Sequence, residues 1–131
     1  MSDYKHGNNK HFTYYNYNPD GELLEDCVTR AIGLATGLDY DAISNLLELT
    51  ADTYNCDKLC VCCYHNLLED ILCYEPIYCR KGEKVKDIAK RYKRNTLIIR
   101  IEGHLTCSIQ GYVMDTWDCG NRVVDCFWIV K

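Results

Sequence analysis

The chain has 131 residues, 47% of them hydrophobic, and a formal net charge of −4. This length fits a single domain, residues 1–131, with a core of ordinary size. The negative balance argues against a protein whose main ligand is nucleic acid, because phosphate binding requires a basic footprint. The sequence shows neither an apolar run of membrane-spanning length nor an apolar stretch of signal-peptide type near its start. It therefore predicts a cytoplasmic protein with no membrane partner.

Residues 1–20 are rich in polar and aromatic side chains and predict an irregular N-terminal arm. The turn signal Pro19-Asp20-Gly21 closes this arm. A helix is predicted next, because Asp26 is a favourable N-cap residue and Gly37 suits the position just after a helix end. Cys27 falls in the first turn of that helix.

Three further helices follow from the spacing of apolar residues. They are predicted from Asp39 or Asp41 to Leu49, over residues 60–72 and over residues 84–94. The second of them has one apolar stripe, which consists of Leu59, Cys63, Leu67 and Ile71.

The composition changes at Thr96, where β-branched and alternating residues predict strands. The strands are predicted over residues 96–101, 104–110, 112–117 and 123–130. Gln110-Gly111 lies between two of them and suits a tight hairpin turn. Helices followed by an antiparallel sheet predict an α+β fold.

A thiol nucleophile requires a lowered pKa, a base within reach and a group that orients this base. Of the ten cysteines, Cys27 is best placed, because the exposed amides of a helix N-terminus favour a thiolate. His104 is the candidate base, since it opens a strand after Gly103. The other histidines lie in the arm (His6 and His11) or beside the cysteine-rich segment (His65).

Strand parity selects the third member of the site. If Gln110 and Gly111 form the turn, Thr106 pairs with Asp115, and His104 lies diagonally from Asp115 on the same sheet face. Trp117 faces His104 on that face, whereas Asp118 points to the other one. A shift of one residue in the register would reverse this choice.

The segment 26–32 (DCVTRAI), with Gly103-His104-Leu105 and the segment 115–118 (DTWD), resembles small papain-like proteins of bacteriophages and of bacteria that carry prophages. The resemblance covers residues 14–129. It implies a nucleophile helix and further helices packed on a C-terminal antiparallel sheet, with Cys27 as nucleophile, His104 as base and Asp115 orienting the imidazole. It also implies a thiol hydrolase or acyltransferase that acts on a protein or peptide, without a cofactor or metal.

The sequence departs from papain-type peptidases at the oxyanion site. These enzymes carry a glutamine several residues before the nucleophile, but Gly21 lies at the matching offset and no glutamine precedes Cys27. An oxyanion site requires two donors directed at the developing charge. The Cys27 amide is one candidate, and Tyr15 or Tyr17 is the other, as in some bacterial cell-wall endopeptidases of the superfamily.

The missing glutamine keeps a second hypothesis open, in which the chain is an inert papain-like scaffold. It would then be a phage protein that binds and inhibits a host or defence protein. If the chain is phage-encoded, its location is the host cytoplasm.

Two other features invite a functional interpretation. The first is a cluster of possible zinc ligands, which consists of Cys56, Cys60, Cys62 and Cys63, with His65. Their spacing is not that of paired zinc knuckles, and we predict no stoichiometric zinc.

The second is a basic segment, residues 80–94, which is either a solvated helix face or a docking patch for an acidic partner. Its basic residues are Arg80, Lys81, Lys84, Lys86, Lys90, Arg91, Lys93 and Arg94.

Overall fold

The computed structural model describes residues 9–131. Its elements are, in chain order, strand β1 (Phe12–Tyr14), helices α1 (Cys27–Thr36), α2 (Tyr40–Tyr54) and α3 (Val61–Asn66), a π-helical turn (Leu67–Ile71), strand β2 (Pro76–Tyr78), helix α4 (Val85–Arg91) and strands β3 (Thr96–Ile101), β4 (His104–Ile109), β5 (Tyr112–Asp115) and β6 (Val124–Val130).

The six strands form one mixed sheet in the order β1-β5-β4-β3-β6-β2. Four of the pairings are antiparallel, and β1 runs parallel to β5. The prediction of an α+β fold is therefore confirmed, whereas the prediction of a purely antiparallel sheet is wrong. The cause is β1, which lies in the segment that was predicted to be irregular. Of that predicted arm, residues 1–8 lie outside the described residues.

Helices cover both faces of the sheet. On one face α1, α2 and α3 pack against a buried cluster that includes Ile98, Leu105 and Trp128. On the other face α4 packs against a second cluster, which includes Ile99 and Phe127. Adjacent residues of the central strand β3 thus enter different cores, which explains its continuous apolar sequence.

Three helices differ from their predicted extents. Helix α4 ends at Arg91, three residues before the predicted end at residue 94. Helix α2 continues to Tyr54, five residues beyond the predicted end, and buries Thr50 and Ala51 while Leu49 is exposed. After α3, the wider π-helical turn changes the register of side chains. Leu68 is therefore buried where the predicted stripe placed Ile71, which is exposed together with Leu59, the first residue of that stripe.

No helix within residues 9–131 combines the length and the apolar character that crossing a membrane requires.

Candidate active site

Cys27 is the first residue of α1, as predicted. Asp26 occupies the N-cap position, but its side chain makes no capping hydrogen bond to the helix amides. Its carboxylate instead accepts hydrogen bonds from Arg30 Nε at 2.6 Å, the Tyr40 hydroxyl at 2.7 Å and Asn18 Nδ2 at 3.1 Å. The amides of the first turn therefore have no capping carboxylate, and the positive end of the helix dipole lies at the Cys27 thiol.

The β4–β5 hairpin positions the other two candidate residues. Gln110 and Gly111 form its turn with φ values of 52° and 87°, the left-handed conformation that a two-residue turn requires at both positions. The pairs Ser108–Val113 and Ile109–Tyr112 have the predicted register. As a result, His104 Nε2 lies 2.7 Å from Asp115 Oδ2, which confirms the predicted proximity of these side chains.

Asp118 does not join this pair, also as predicted. Its carboxylate lies 3.0 Å from His11 Nε2 and accepts hydrogen bonds from Asn9 Nδ2 and from the backbone N–H of Gly120. It therefore holds the beginning of β1 against the loop that precedes β6.

Asp115 is held as a buried anion. Its side chain is 3% exposed and accepts hydrogen bonds from Thr106 Oγ1 at 2.6 Å, from Arg30 at 2.9 Å and from the Thr116 backbone N–H at 2.7 Å, besides its contact with His104. Burial acts to raise the pKa of this carboxyl. Its interactions with His104, Thr106 and Arg30 outweigh burial, so the pKa is lowered below its ordinary value.

The His104 ring interacts with both Asp115 and Cys27. Burial alone would lower the pKa of this imidazole, but hydrogen bonds and charges of Asp115 and Cys27 raise the pKa to about 9. Burial likewise acts to raise the pKa of the Cys27 thiol. The pKa is nevertheless lowered, by a hydrogen bond and the charge of His104, by the Leu105 backbone N–H and by the charge of Arg30. These directions favour a thiolate–imidazolium pair near neutral pH.

The environment of this pair is partly enclosed. A cavity of about 10 Å³, enough for one small molecule such as water, is lined by Cys27, Arg30, Asp115 and both candidate tyrosines, Tyr15 and Tyr17. The Tyr17 hydroxyl is already engaged, because it donates a hydrogen bond to Leu38 O at 2.7 Å. The Tyr15 hydroxyl makes no hydrogen bond to any of residues 9–131, and the Tyr15 side chain is exposed. Tyr15 is therefore the better candidate for a second oxyanion donor.

Trp117 forms the other wall of the site. Its ring meets the His104 ring edge to face, with centroids 4.8 Å apart and an interplanar angle of 76°. The Arg122 guanidinium lies over the same indole, 5.2 Å from the centroid of the ring. Trp117 is 40% exposed, in contrast with Trp128, which is fully buried in the core. It therefore shields His104 from solvent and presents an aromatic surface beside the candidate nucleophile.

Comparisons of the chain with protein-family models, with curated proteins and with solved structures found no match.

One group in the described part of the chain has the donor atoms for a metal ion. His104, Asp115 and Cys119 have donor atoms within 4.8 Å of one another. The guanidinium of Arg30 lies 2.9 Å from Asp115 and opposes a second cation there. Burial raises the pKa of the Cys119 thiol to about 12, which disfavours the thiolate that a metal requires. His104, Asp115 and Cys119 therefore fit a metal centre poorly, and Cys119 is better described as a buried neighbour of the His104–Asp115 pair.

The cysteine cluster is only partly assembled. The backbone N–H of Cys63 lies 3.3 Å from Cys60 Sγ, and the Cys63 thiol donates to Leu47 O at 3.4 Å. Cys62 is exposed and accepts a weak hydrogen bond from Asn66 instead. Residues three apart share a side of a helix, as Cys60 and Cys63 do, whereas Cys62 points elsewhere.

His65, the other candidate ligand of that cluster, is also committed elsewhere. Its Nδ1 lies 2.8 Å from Glu69, and its Nε2 lies 2.8 Å from Arg100.

The sequence interpretation did not include Arg30 or Cys119 in the site. A signal for Arg30 was available, because Asp26 and Arg30 have the i, i+4 spacing of a helical ion pair. Its second partner, Asp115, is 85 residues away in sequence, and local spacing gives no sign of it. Cys119 follows the predicted hairpin and reaches the site only through the bend between β5 and β6.

Proposed function

We propose that this protein is a thiol hydrolase or acyltransferase of papain-like type, acting on a protein or peptide through Cys27, His104 and Asp115. The observation that carries the proposal is that His104, whose Nε2 lies 2.7 Å from Asp115, also interacts with the Cys27 thiol and lowers its pKa. The start of helix α1, the β4–β5 hairpin and the buried carboxylate support the same reading.

The proposed reaction has two steps. The Cys27 thiolate attacks a carbonyl carbon, and a C–S bond forms while the carbonyl electrons move to oxygen. Because Nε2 of His104 contacts Asp115, Nδ1 is the nitrogen that gives its proton to the leaving amine as the C–N bond breaks. His104 then takes a proton from water or from an acceptor amine, which attacks the thioester and releases Cys27.

Asp115 has two tasks in this scheme. It fixes the tautomer and the orientation of His104, and its negative charge stabilises the imidazolium that the thiolate requires. Thr106 and Arg30 hold the carboxylate in place, so they are positioning residues. The amide of Cys27 and the hydroxyl of Tyr15 are the proposed donors to the oxyanion.

An acylation assay with p-nitrophenyl acetate tests the proposal without knowledge of the natural substrate. We expect a burst of p-nitrophenolate equal to the protein concentration, with an acetyl thioester on Cys27 found by mass spectrometry. The variants Cys27→Ser and His104→Ala should lose at least about 99% of the burst rate, since the first removes the nucleophilic thiol and the second removes the base that activates it. Cys62→Ser is the matched control, because Cys62 is an exposed cysteine outside the site.

Circular dichroism and melting curves must show that each variant is folded. If folded Cys27→Ser keeps the burst, or if Cys62 carries the acetyl group, the proposal is wrong. An acetyl group absent from every cysteine would favour the alternative, an inert scaffold that acts by binding.

A further inference from the structure

A basic groove lies at the end of the molecule that carries the β4–β5 turn. It has a volume of about 360 Å³ and is bounded by the start of β1, one side of α4 and the hairpin turn. Its charged residues are Lys10, Lys86, Lys90 and Lys93, with Asp87 as the one acidic side chain in its lining. The groove therefore carries a net charge of +3.

Helix α4 and the turn after it carry three of these lysines. Lys86 and Lys90 have the spacing i, i+4, which places them on one side of the helix. Lys93 lies in the turn that follows the helix end at Arg91 and lines the same groove. The opposite side consists of Val85, Ile88 and Ala89, which are fully buried. Because the core fixes that side, the lysines have a defined direction into the groove.

Within the described residues, the positive charges of the groove lysines are not neutralised by ion pairs. Among residues 9–131, none of the four lysines takes part in an ion pair, although Arg91 on the same helix pairs with Glu83 at 2.7 Å. Like charges four residues apart on one helix side repel each other, and this repulsion destabilises the helix. An anionic ligand would relieve that repulsion.

We propose that this groove binds an extended acidic segment of a partner protein. Lys86 and Lys90 are separated by about 6 Å along the helix axis. Alternate side chains of an extended chain, which point to the same side, are about 6.6 Å apart. Carboxylates at alternate positions of an extended segment thus match the lysine spacing, and the exposed ring of Tyr112 offers an apolar contact beside them.

The charge distribution of the molecule favours a short protein segment over nucleic acid. The basic segment holds eight Lys or Arg against two acidic residues, a net charge of +6. The remainder of the chain holds seven basic and seventeen acidic residues, a net charge of −10. A long polyanion would extend from the groove onto repulsive surface, whereas a segment of a few residues stays within the groove.

The groove is separate from the candidate active site. His104 and the turn are at opposite ends of β4, about 17 Å apart for the six residues of that strand. Binding in the groove would therefore dock a partner beside the site without blocking Cys27. This inference does not depend on the proposed catalysis.

Fluorescence anisotropy of labelled peptides tests the groove on the full chain. The probes are an acidic peptide of alternating Glu and Ser, its neutral counterpart of alternating Gln and Ser, and an oligothymidylate of the same charge as the acidic peptide. We expect the acidic peptide to bind, binding to weaken as salt rises, and the neutral peptide not to bind.

The groove variant replaces Lys86, Lys90 and Lys93 by Gln. The control variant replaces Lys81, Lys84 and Lys131 by Gln, which removes the same charge at exposed positions outside the groove. The groove variant should bind the acidic peptide at least tenfold more weakly and the control less than twofold more weakly, with melting curves that show both variants to be folded. Equal weakening in both variants, no binding of the acidic peptide, or tighter binding of the oligothymidylate would overturn the proposal.

Discussion

Among single residues, Asp115 connects the parts of the candidate site. Its carboxylate receives hydrogen bonds from α1 through Arg30, from β4 through Thr106 and His104, and from the Thr116 amide that follows β5. Every one of these partners donates. The site therefore requires a group that only accepts hydrogen bonds, and an ionised carboxylate meets that requirement.

Asp115→Asn should separate the stability of the site from its chemistry. The amide oxygen can still accept from His104 and Thr106, so the acylation rate should fall less than in His104→Ala. The amide NH₂ would face the Arg30 guanidinium, which then lacks one of its two carboxylates. Breaking a buried pair in this way should lower the free energy of unfolding by about 3 kcal/mol.

Urea unfolding at neutral pH measures that loss. Asp118→Asn is the matched control, because Asp118 is a partly exposed acceptor outside the site, and it should cost less than about 1 kcal/mol. Equal losses in the two variants would contradict the role given to Asp115.

Among the elements, helix α1 supplies both the nucleophile and the electrostatic field around it. The first turn lacks a capping side chain because Asp26 turns to Arg30, Tyr40 and Asn18. Gly33 allows the N-terminal segment to approach this helix closely, since a Cβ there would lie 2.6 Å from the Tyr17 ring. That segment brings Tyr15 to the cavity beside Cys27.

Tyr15→Phe tests the proposed second oxyanion donor. Loss of one such donor should lower the acylation rate by about 100-fold, while alkylation of Cys27, which forms no oxyanion, should be unchanged. Tyr17→Phe is the matched control. Its hydroxyl donates to Leu38 O, so its loss should lower the melting temperature and leave the acylation rate nearly unchanged.

The comparison is made by stopped-flow kinetics with p-nitrophenyl acetate. Equal acylation rates for the wild-type protein and Tyr15→Phe would remove Tyr15 from the oxyanion site.

The sequence was most informative where local patterns decide the structure. The Gln110-Gly111 turn and the alternation on either side of it determine which residues face His104, and this register is confirmed. The end of α1 follows in the same way from Gly37, whose φ is 77°. Its start falls directly after Asp26, as predicted, although the Asp26 side chain does not cap the helix.

The sequence was least informative about short or long-range pairings. Strands β1 and β2 have three residues each, too few for alternation to be recognised. Strand β1 also pairs with β5, about a hundred residues later, and in parallel. The contact between Arg30 and Asp115 depends on the packing of α1 on the sheet, which no local pattern encodes.

At the scale of the whole molecule, the chain combines a reduced, cysteine-rich core with an uneven charge distribution. All ten cysteines are free thiols, and several are buried in the two cores, including Cys63, Cys107 and Cys126. Burial raises the pKa of the Cys126 thiol to about 11 and that of Cys107 further still. These thiols are therefore protonated near neutral pH, and Cys27 is distinguished from them by its lowered pKa.

We predict that the Cys56, Cys60, Cys62 and Cys63 cluster binds no stoichiometric zinc. A structural zinc site requires four ligands around one point, and within residues 9–131 the one set of three ligand-type residues with donor atoms this close is His104, Asp115 and Cys119. Atomic emission analysis of the purified protein should give far less than one zinc per chain. About one zinc per chain, lost in a Cys60→Ser variant and kept in Cys119→Ser, would contradict the prediction.

The pH profile of Cys27 alkylation tests the central claim, that Cys27 and His104 form a thiolate–imidazolium pair. Iodoacetamide reacts with thiolate, and the extent of labelling at each cysteine is measured by mass spectrometry. Since the pKa of Cys27 is lowered and that of His104 is raised to about 9, Cys27 should react at mildly acidic pH, before the exposed Cys62 and Cys73. Its rate should rise again near pH 9, where His104 loses its proton, and His104→Gln should abolish both features. A single inflection at about 8.5 or above, the ordinary range of a free thiol, in the wild-type protein would contradict the account.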